Sequence, residues 1–162
     1  MSAPRLVVPR AIWDDTTAVF ATFSAAGLEG GCLWYGVPGT LRVVRLGVPR
    51  QRGRPRNFEI EPAALEELNA GIGDDLAVVA QLHGHPGWDV RHSPWDDDLI
   101  VSRRAVSIVL PWYGAHVDLA ACGVHVHGPA GWSMLPPGDA LASIEVVDDG
   151  GEARPTLDLR WP

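Results

Sequence analysis

The sequence predicts an α/β (α+β) fold, a single domain in which helices flank a mixed β-sheet. Segments with helical periodicity alternate with apolar runs of strand length. The alternation runs through all 162 residues, with no internal repeat and no linker, so residues 1–162 read as one domain.

Each element has its own signal. Residues 9–26, PRAIWDDTTAVFATFSAA, place Ile12, Thr16, Val19, Phe23 and Ala26 on one helical face. Pro9 suits the first turn and Gly27 the residue after the end. GGCLWYGV and TLRVVRLGV read as two strands joined by a tight turn at Pro38-Gly39. The first is buried on both faces; the second turns Leu41 and Val43 inward and Arg42 and Arg45 outward. VPRQRGRPRN, residues 48–57, is an exposed loop of Arg, Pro and Gly. EPAALEELNAGIG is a short helix with Leu65, Leu68 and Ile72 inward, and DLAVVAQLHGH is a central strand. SPWDDDLIVSRR starts another helix. Ser93 caps it, Pro94 fills its first turn, and its acids and Arg103-Arg104 sit at the dipole ends that favour them. VSIVLPW, VDLAACGVHVHGP, ASIEVVDD and TLDLRW are the remaining strands.

Composition removes several functions. A net charge of -7 argues against a nucleic-acid or membrane-surface partner. No apolar run approaches the ~18 residues of a membrane span, and MSAPRLVVPR lacks the apolar core of a secretory signal. Two cysteines, Cys32 and Cys122, are too few for a disulfide framework, so a cytoplasmic protein is expected. Both read as core thiols. The chain has no lysine, and arginine supplies all of its non-histidine positive charge.

The stretch QLHGHPGWDVRHSPWDDDL, residues 81–99, carries the chemistry. On a strand, His83 and His85 project from one face, at the point where Pro86 and Gly87 lead the chain out of the core. Two imidazoles on one face are half of a zinc site. Asp96, in the first turn of the next helix, could add a carboxylate and leave one position open, as catalytic zinc sites do. Glu29, set among glycines in GLEGGCLWYG, is the candidate base. Ser93 could donate to an oxyanion. Taken singly, each has a plainer reading: strand-end histidines, a helix cap and first-turn acids.

Taken in order, Glu29, then HGHP from His83 to Pro86, seven residues counted from Pro86 to His92, then SPWD from Ser93 to Asp96, resemble the JAMM motif of the JAB/MPN zinc metallopeptidases. SIVLPWYG resembles the family's strand after the motif helix. GVHVHGPAGWSMLP resembles a late strand of its prokaryotic members, which ends in a Gly-Trp turn. Gly84 departs from the Ser or Thr usual between the histidines. The C-terminal end carries none of the resemblance.

The resemblance implies an MPN-type domain with a curved sheet. It implies zinc held by His83, His85 and Asp96, Glu29 as general acid/base, and Ser93 at the tetrahedral intermediate. The implied substrate is a ubiquitin-like protein or its conjugate, cut after its C-terminus. The implied partners are activating-like and conjugating-like enzymes of a bacterial system, some of which act in antiphage defence. Beside a lysine-conjugating system, a lysine-free chain escapes modification; a GC-rich genome that favours Arg codons is the other reading.

Trp88 and the arginines of residues 50–56, Arg52 and Arg54 among them, are candidate substrate contacts. His125 and His127 form a second H-x-H, expected on an exposed strand face because no carboxylate or cysteine follows at a useful spacing. Two other functions compete: a non-catalytic MPN-like scaffold, and a zinc hydrolase of another substrate class.

Overall fold

The computed structural model describes residues 5–98, 101–115, 118–148 and 153–161. The chain runs β1 (Leu6–Pro9), α1 (Arg10–Ala26), β2 (Gly31–Gly36), β3 (Val43–Val48), β4 (Arg52–Gly53), β5 (Phe58–Glu59), α2 (Pro62–Ile72), β6 (Ala77–Gly84), α3 (Pro94–Asp98), β7 (Val106–Leu110), β8 (Gly123–Gly128), β9 (Gly131–Met134), α4 (Pro137–Ala142), β10 (Ile144–Val147) and β11 (Leu157–Asp158). Seven strands form one sheet in the order β11-β3-β2-β6-β7-β8-β9. It is mixed: β6 pairs β7 and β11 pairs β3 in parallel, and the other neighbours are antiparallel. The α/β prediction is met. Among the described residues no helix is long and apolar enough to cross a membrane.

Strand β2 explains how the core is divided. Successive strand residues point to opposite faces. Cys32 and Trp34 pack into the cluster under α1, with Phe20 and Phe23, while Leu33 and Tyr35 pack into a second cluster with Leu68 and Ile72 of α2. All six residues of β2 are buried, as expected for a strand covered on both sides. Thr16 of α1 is buried without loss, because its hydroxyl accepts the Trp34 indole N–H (3.0 Å) and donates to the Ile12 carbonyl (2.7 Å). Gly27 ends α1 in the left-handed conformation (φ 64°), as its position predicts.

Several expectations need correction. Phe20, not Ala26, completes the buried face of α1; Ala26 lies in the last turn and is exposed. Leu41 is exposed because β3 starts only at Val43. The arginine segment is not wholly a loop, since Arg52↔Glu59 and Gly53↔Phe58 pair as a two-residue ladder. The helix expected over 93–104 is helical only over Pro94–Asp98 among its described residues; Leu99 and Ile100 lie outside them, and Arg103-Arg104 sit in a turn. The strand expected from Val117 begins at Gly123, after a short 3-10 turn at Leu119–Ala121 capped by Asp118; Val117 lies outside the described residues. The segment ASIEVVDD, residues 142–149, yields β10 over Ile144–Val147, which pairs in parallel with β1 outside the main sheet; Ala142 ends α4, and Asp149 lies outside the described residues. The sequence reading has no counterpart for β1, β9 or α4; Gly131-Trp132, expected as a turn, open β9, and the turn falls at Pro129-Ala130.

Candidate metal centre

The site forms where β6 ends. His83 is paired opposite Gly31 of β2, and the Gly84 N–H donates to the Gly30 carbonyl (3.2 Å), so Glu29 lies beside the two histidines. This approach depends on glycine. A Cβ at Gly30 would fall 2.3 Å from the Phe23 ring, and one at Gly31 2.9 Å from the Leu82 carbonyl oxygen. On the other side α3 brings Asp96 back over the strand end.

Three candidate ligand side chains meet there. His83 Nε2 and His85 Nε2 are 3.2 Å apart, Asp96 Oδ1 is 3.3 Å from His83 Nε2, and Asp96 Oδ2 is 3.1 Å from His85 Nε2. Among the described residues this is the group with metal-holding geometry. Zinc bonds of about 2.0–2.1 Å at a tetrahedral angle put neighbouring ligand atoms roughly 3.3 Å apart; the two nitrogens stand at about that spacing from each other, and each stands near it from a different oxygen of the Asp96 carboxylate.

The chemistry of the donor set agrees. His85 Nδ1 lies 2.8 Å from the Asp89 carbonyl oxygen, which can only accept, so Nδ1 carries a proton and Nε2 is the ring atom turned into the cluster. A backbone carbonyl orienting a ring in this way is the usual outer partner of a metal-bound histidine. Burial pushes the pKa of His83 down, against the pull of Asp96, and keeps that ring neutral. Burial also works against charge on His85, but its hydrogen bonds to Asp96 and the Asp89 carbonyl, with the charges of Asp96 and Glu29, outweigh it and raise its pKa. Burial works upward on Asp96, yet hydrogen bonds from both histidines hold it well below the usual carboxylate range. The two Nε2 atoms and the carboxylate thus face one point, where a cation would take the place of the protons they share.

Ser93 and Asp96 cap α3 reciprocally. The Ser93 N–H donates to Asp96 Oδ2 (2.7 Å) and the Asp96 N–H donates to Ser93 Oγ (3.2 Å). The cap fixes the carboxylate and uses Ser93 Oγ only as an acceptor, leaving its O–H free to donate. Glu29 is 4% exposed, and burial is the main cause that raises its carboxyl pKa to about 7, helped by Asp96 and opposed by His85. Glu29, His85, Ser93 and Asp96 line one open cavity of about 630 Å³.

The expected contact residues divide. Trp88 is 61% exposed and meets Trp112 edge-on, with ring centroids 5.9 Å apart. Arg54 is exposed and braces the site through its backbone, its carbonyl accepting the Glu29 N–H (2.8 Å). Arg52 lines a smaller cleft with Glu59 and Glu61. Arg56, from the same segment, lines the main cavity.

Sequence reasoning missed Tyr113 and His92, which also line the cavity. Tyr113 donates its O–H to the Pro55 carbonyl (2.8 Å), and together with Trp112 it has positive φ (57° and 52°), for which no local glycine gave a signal. His92 entered the reading only as the last spacer of the motif. His125, expected on an exposed face, is 2% exposed, because the His92 ring stacks on it at 3.9 Å.

No family model matches the chain, and no curated protein matches it. Solved structures do share its fold. One is the solution structure of protein DSY2949 from Desulfitobacterium hafniense, 14% identical, with a TM-score of 0.62 over 89% of this chain and 94% of that one. At that identity the likeness concerns the fold alone.

Proposed function

We propose that this chain is a zinc-dependent peptidase of the JAMM type that hydrolyses the bond after the C-terminus of a ubiquitin-like protein. The reading rests above all on one observation: the Nε2 atoms of His83 and His85 lie 3.2 Å apart and 3.3 and 3.1 Å from the two oxygens of Asp96, beside a buried glutamate. Zinc bound there supplies a Lewis acid that polarises a carbonyl and acidifies water toward a pKa of ~7.

The chain's own residues do the rest. Glu29, with a pKa near neutrality, takes a proton from the attacking water and returns it to the leaving amine. Ser93 donates its free O–H to the oxyanion. Arg56 of the arginine segment lines the cavity, and the exposed Trp88 follows Gly87 of its wall. The protein acts in the cytoplasm, beside the activating-like and conjugating-like enzymes of a bacterial ubiquitin-like system. Antiphage defence is the setting that the resemblance suggests.

Elemental analysis of purified protein is the first test, with about one zinc per chain expected. Wild type that takes up no zinc from supplemented buffer sinks the reading. The second test is cleavage of ubiquitin-like proteins fused through their C-termini to a reporter. Glu29→Gln should keep the zinc and lose on the order of 10²- to 10⁴-fold in rate. A zinc-loaded wild type that cuts no fusion or conjugate supports the scaffold instead, and one that cuts only small molecules supports another hydrolase.

A further inference from the structure

We propose that His92 is a positioning residue for the metal cluster: it hangs the helix that carries Asp96 on the sheet. The inference rests on the metal reading above and extends it to a residue outside the motif.

The helix α3 cannot hold its own place. It has five residues, and an isolated helix that short has no stability in water. The Ser93–Asp96 cap is internal to it, so it fixes the carboxylate relative to α3 and not relative to His83 or His85. Something must tie α3 to the strands, and His92 does so with both ring nitrogens. His92 Nδ1 lies 2.9 Å from Asp97 Oδ1 in α3, and Nε2 lies 2.8 Å from Ser107 Oγ on β7. The carboxylate accepts from Nδ1–H; Nε2 then accepts from the serine hydroxyl.

The ring itself cannot swing. Its side chain is 7% exposed. One face stacks on His125 of β8 (3.9 Å, 14° between planes), and the Trp132 ring of β9 meets it at 60°, 5.2 Å between centroids. Neither ring nitrogen of His125 makes a hydrogen bond among the described residues, so His125 serves here through its ring face. His92 therefore takes its orientation from three strands, β7, β8 and β9, and passes it to α3 through Asp97, the residue next to the ligand Asp96.

The test is Zn2+ affinity by chelator competition, together with the visible absorption of Co2+-loaded protein, for wild type, His92→Ala and His92→Asn. His92→Ala should bind zinc roughly 10- to 100-fold more weakly, the usual cost of removing an outer-shell partner. Its cobalt spectrum should shift, which a merely structural loss of stability would not produce. His92→Asn keeps an N–H toward Asp97 and should recover part of the affinity. Should His92→Ala fail to fold, Asp97→Ala against Asp97→Asn probes the same tether from its half-exposed end, since the amide oxygen still accepts the bond. Wild-type affinity and spectrum in folded His92→Ala, or in Asp97→Ala, overturn the role of His92 alone. A wild type that binds neither metal overturns the metal reading, and this inference with it.

Discussion

The chain carries the same three-residue pattern twice, and the two copies behave differently. His83 lies in β6 and His85 is the first residue after it, whereas His125 and His127 both lie within β8 of the same sheet. Through the pairings Gln81↔Ser107 and Ser107↔His125, the two patterns also share one sheet face. The first converges with Asp96 on a point; the second meets no carboxylate in such a group among the described residues. His125 is instead sealed beneath His92, and His127 is paired opposite Trp132. The spacing puts two rings on one face in both cases. What separates them is the strand end. At His85 the chain leaves the ladder, so the second ring is free to turn toward the first and the following helix can deliver an acid. His125 is paired on both sides, with Ser107 and Met134, and His127 is still held in the ladder opposite Trp132.

The comparison is broken most directly by deleting one histidine from each pair. His85→Ala should reduce zinc from about one per chain to almost none, because two remaining ligands do not hold it. His127→Ala should leave the zinc content unchanged. Elemental analysis of both variants decides; metal lost from His127→Ala and kept in His85→Ala would exchange the roles of the two patterns.

The first pattern was legible because its parts are close in sequence. His83, His85, Ser93 and Asp96 fall on one strand end and one helix start, and the glycines around Glu29 signalled a close approach of backbones. What stayed hidden depends on distant partners. The buried state of His125 requires His92 above it and Trp132 beside it, from different elements. The pairing of β1 with β10 joins opposite ends of the chain with four residues each, too short for a periodicity signal. The length of α3 was misread because acids at one end and arginines at the other imitate a complete helix; the turn at Arg103-Arg104 belongs to the entry into β7.

The residue between the histidines sharpens the contrast. A Cβ on Gly84 would stand 2.9 Å from both Cα and C of Tyr113, in backbone that already has φ 57°. Backbone cannot yield as a side-chain tip can. Gly84→Ser should therefore cost about 1–3 kcal/mol, the usual range for overpacking. In a chain this long that corresponds to roughly 2–4 °C of melting temperature per kcal/mol. Val126, at the equivalent place in the second pattern, already carries a branched side chain, so Val126→Ser should shift the midpoint much less. Equal shifts for the two variants in thermal unfolding would show that Tyr113 does not constrain position 84.

The smallest effect at neutral pH is expected where the second pattern is most buried. Burial, then the neighbouring His92 and His83, lowers the pKa of His125 to about 4 against a weaker upward pull from the Ser107 backbone, so at pH 7 the folded protein holds a neutral ring whose nitrogens have no well-aligned hydrogen bond among the described residues. His125→Phe keeps the ring face under His92 and removes those nitrogens. Replacing an unsatisfied buried polar group by an apolar one of similar shape is close to neutral or stabilising. Zinc content should not change, whereas His83→Phe should abolish it. Acid separates the variant from wild type. With the folded pKa near 4 and the unfolded value near 6.5, the unfolded chain binds the His125 proton first as pH falls. The stability that His125 contributes as a neutral ring is present above about pH 6.5 and drains away as pH falls toward 4, by up to about 3 kcal/mol. His125→Phe lacks that proton, so its advantage over wild type should grow between pH 6.5 and 4.5 in chemical denaturation. An advantage that stays flat across that window would mean that His125 is already hydrogen-bonded in the folded protein, and the second pattern would then be a polar site in its own right.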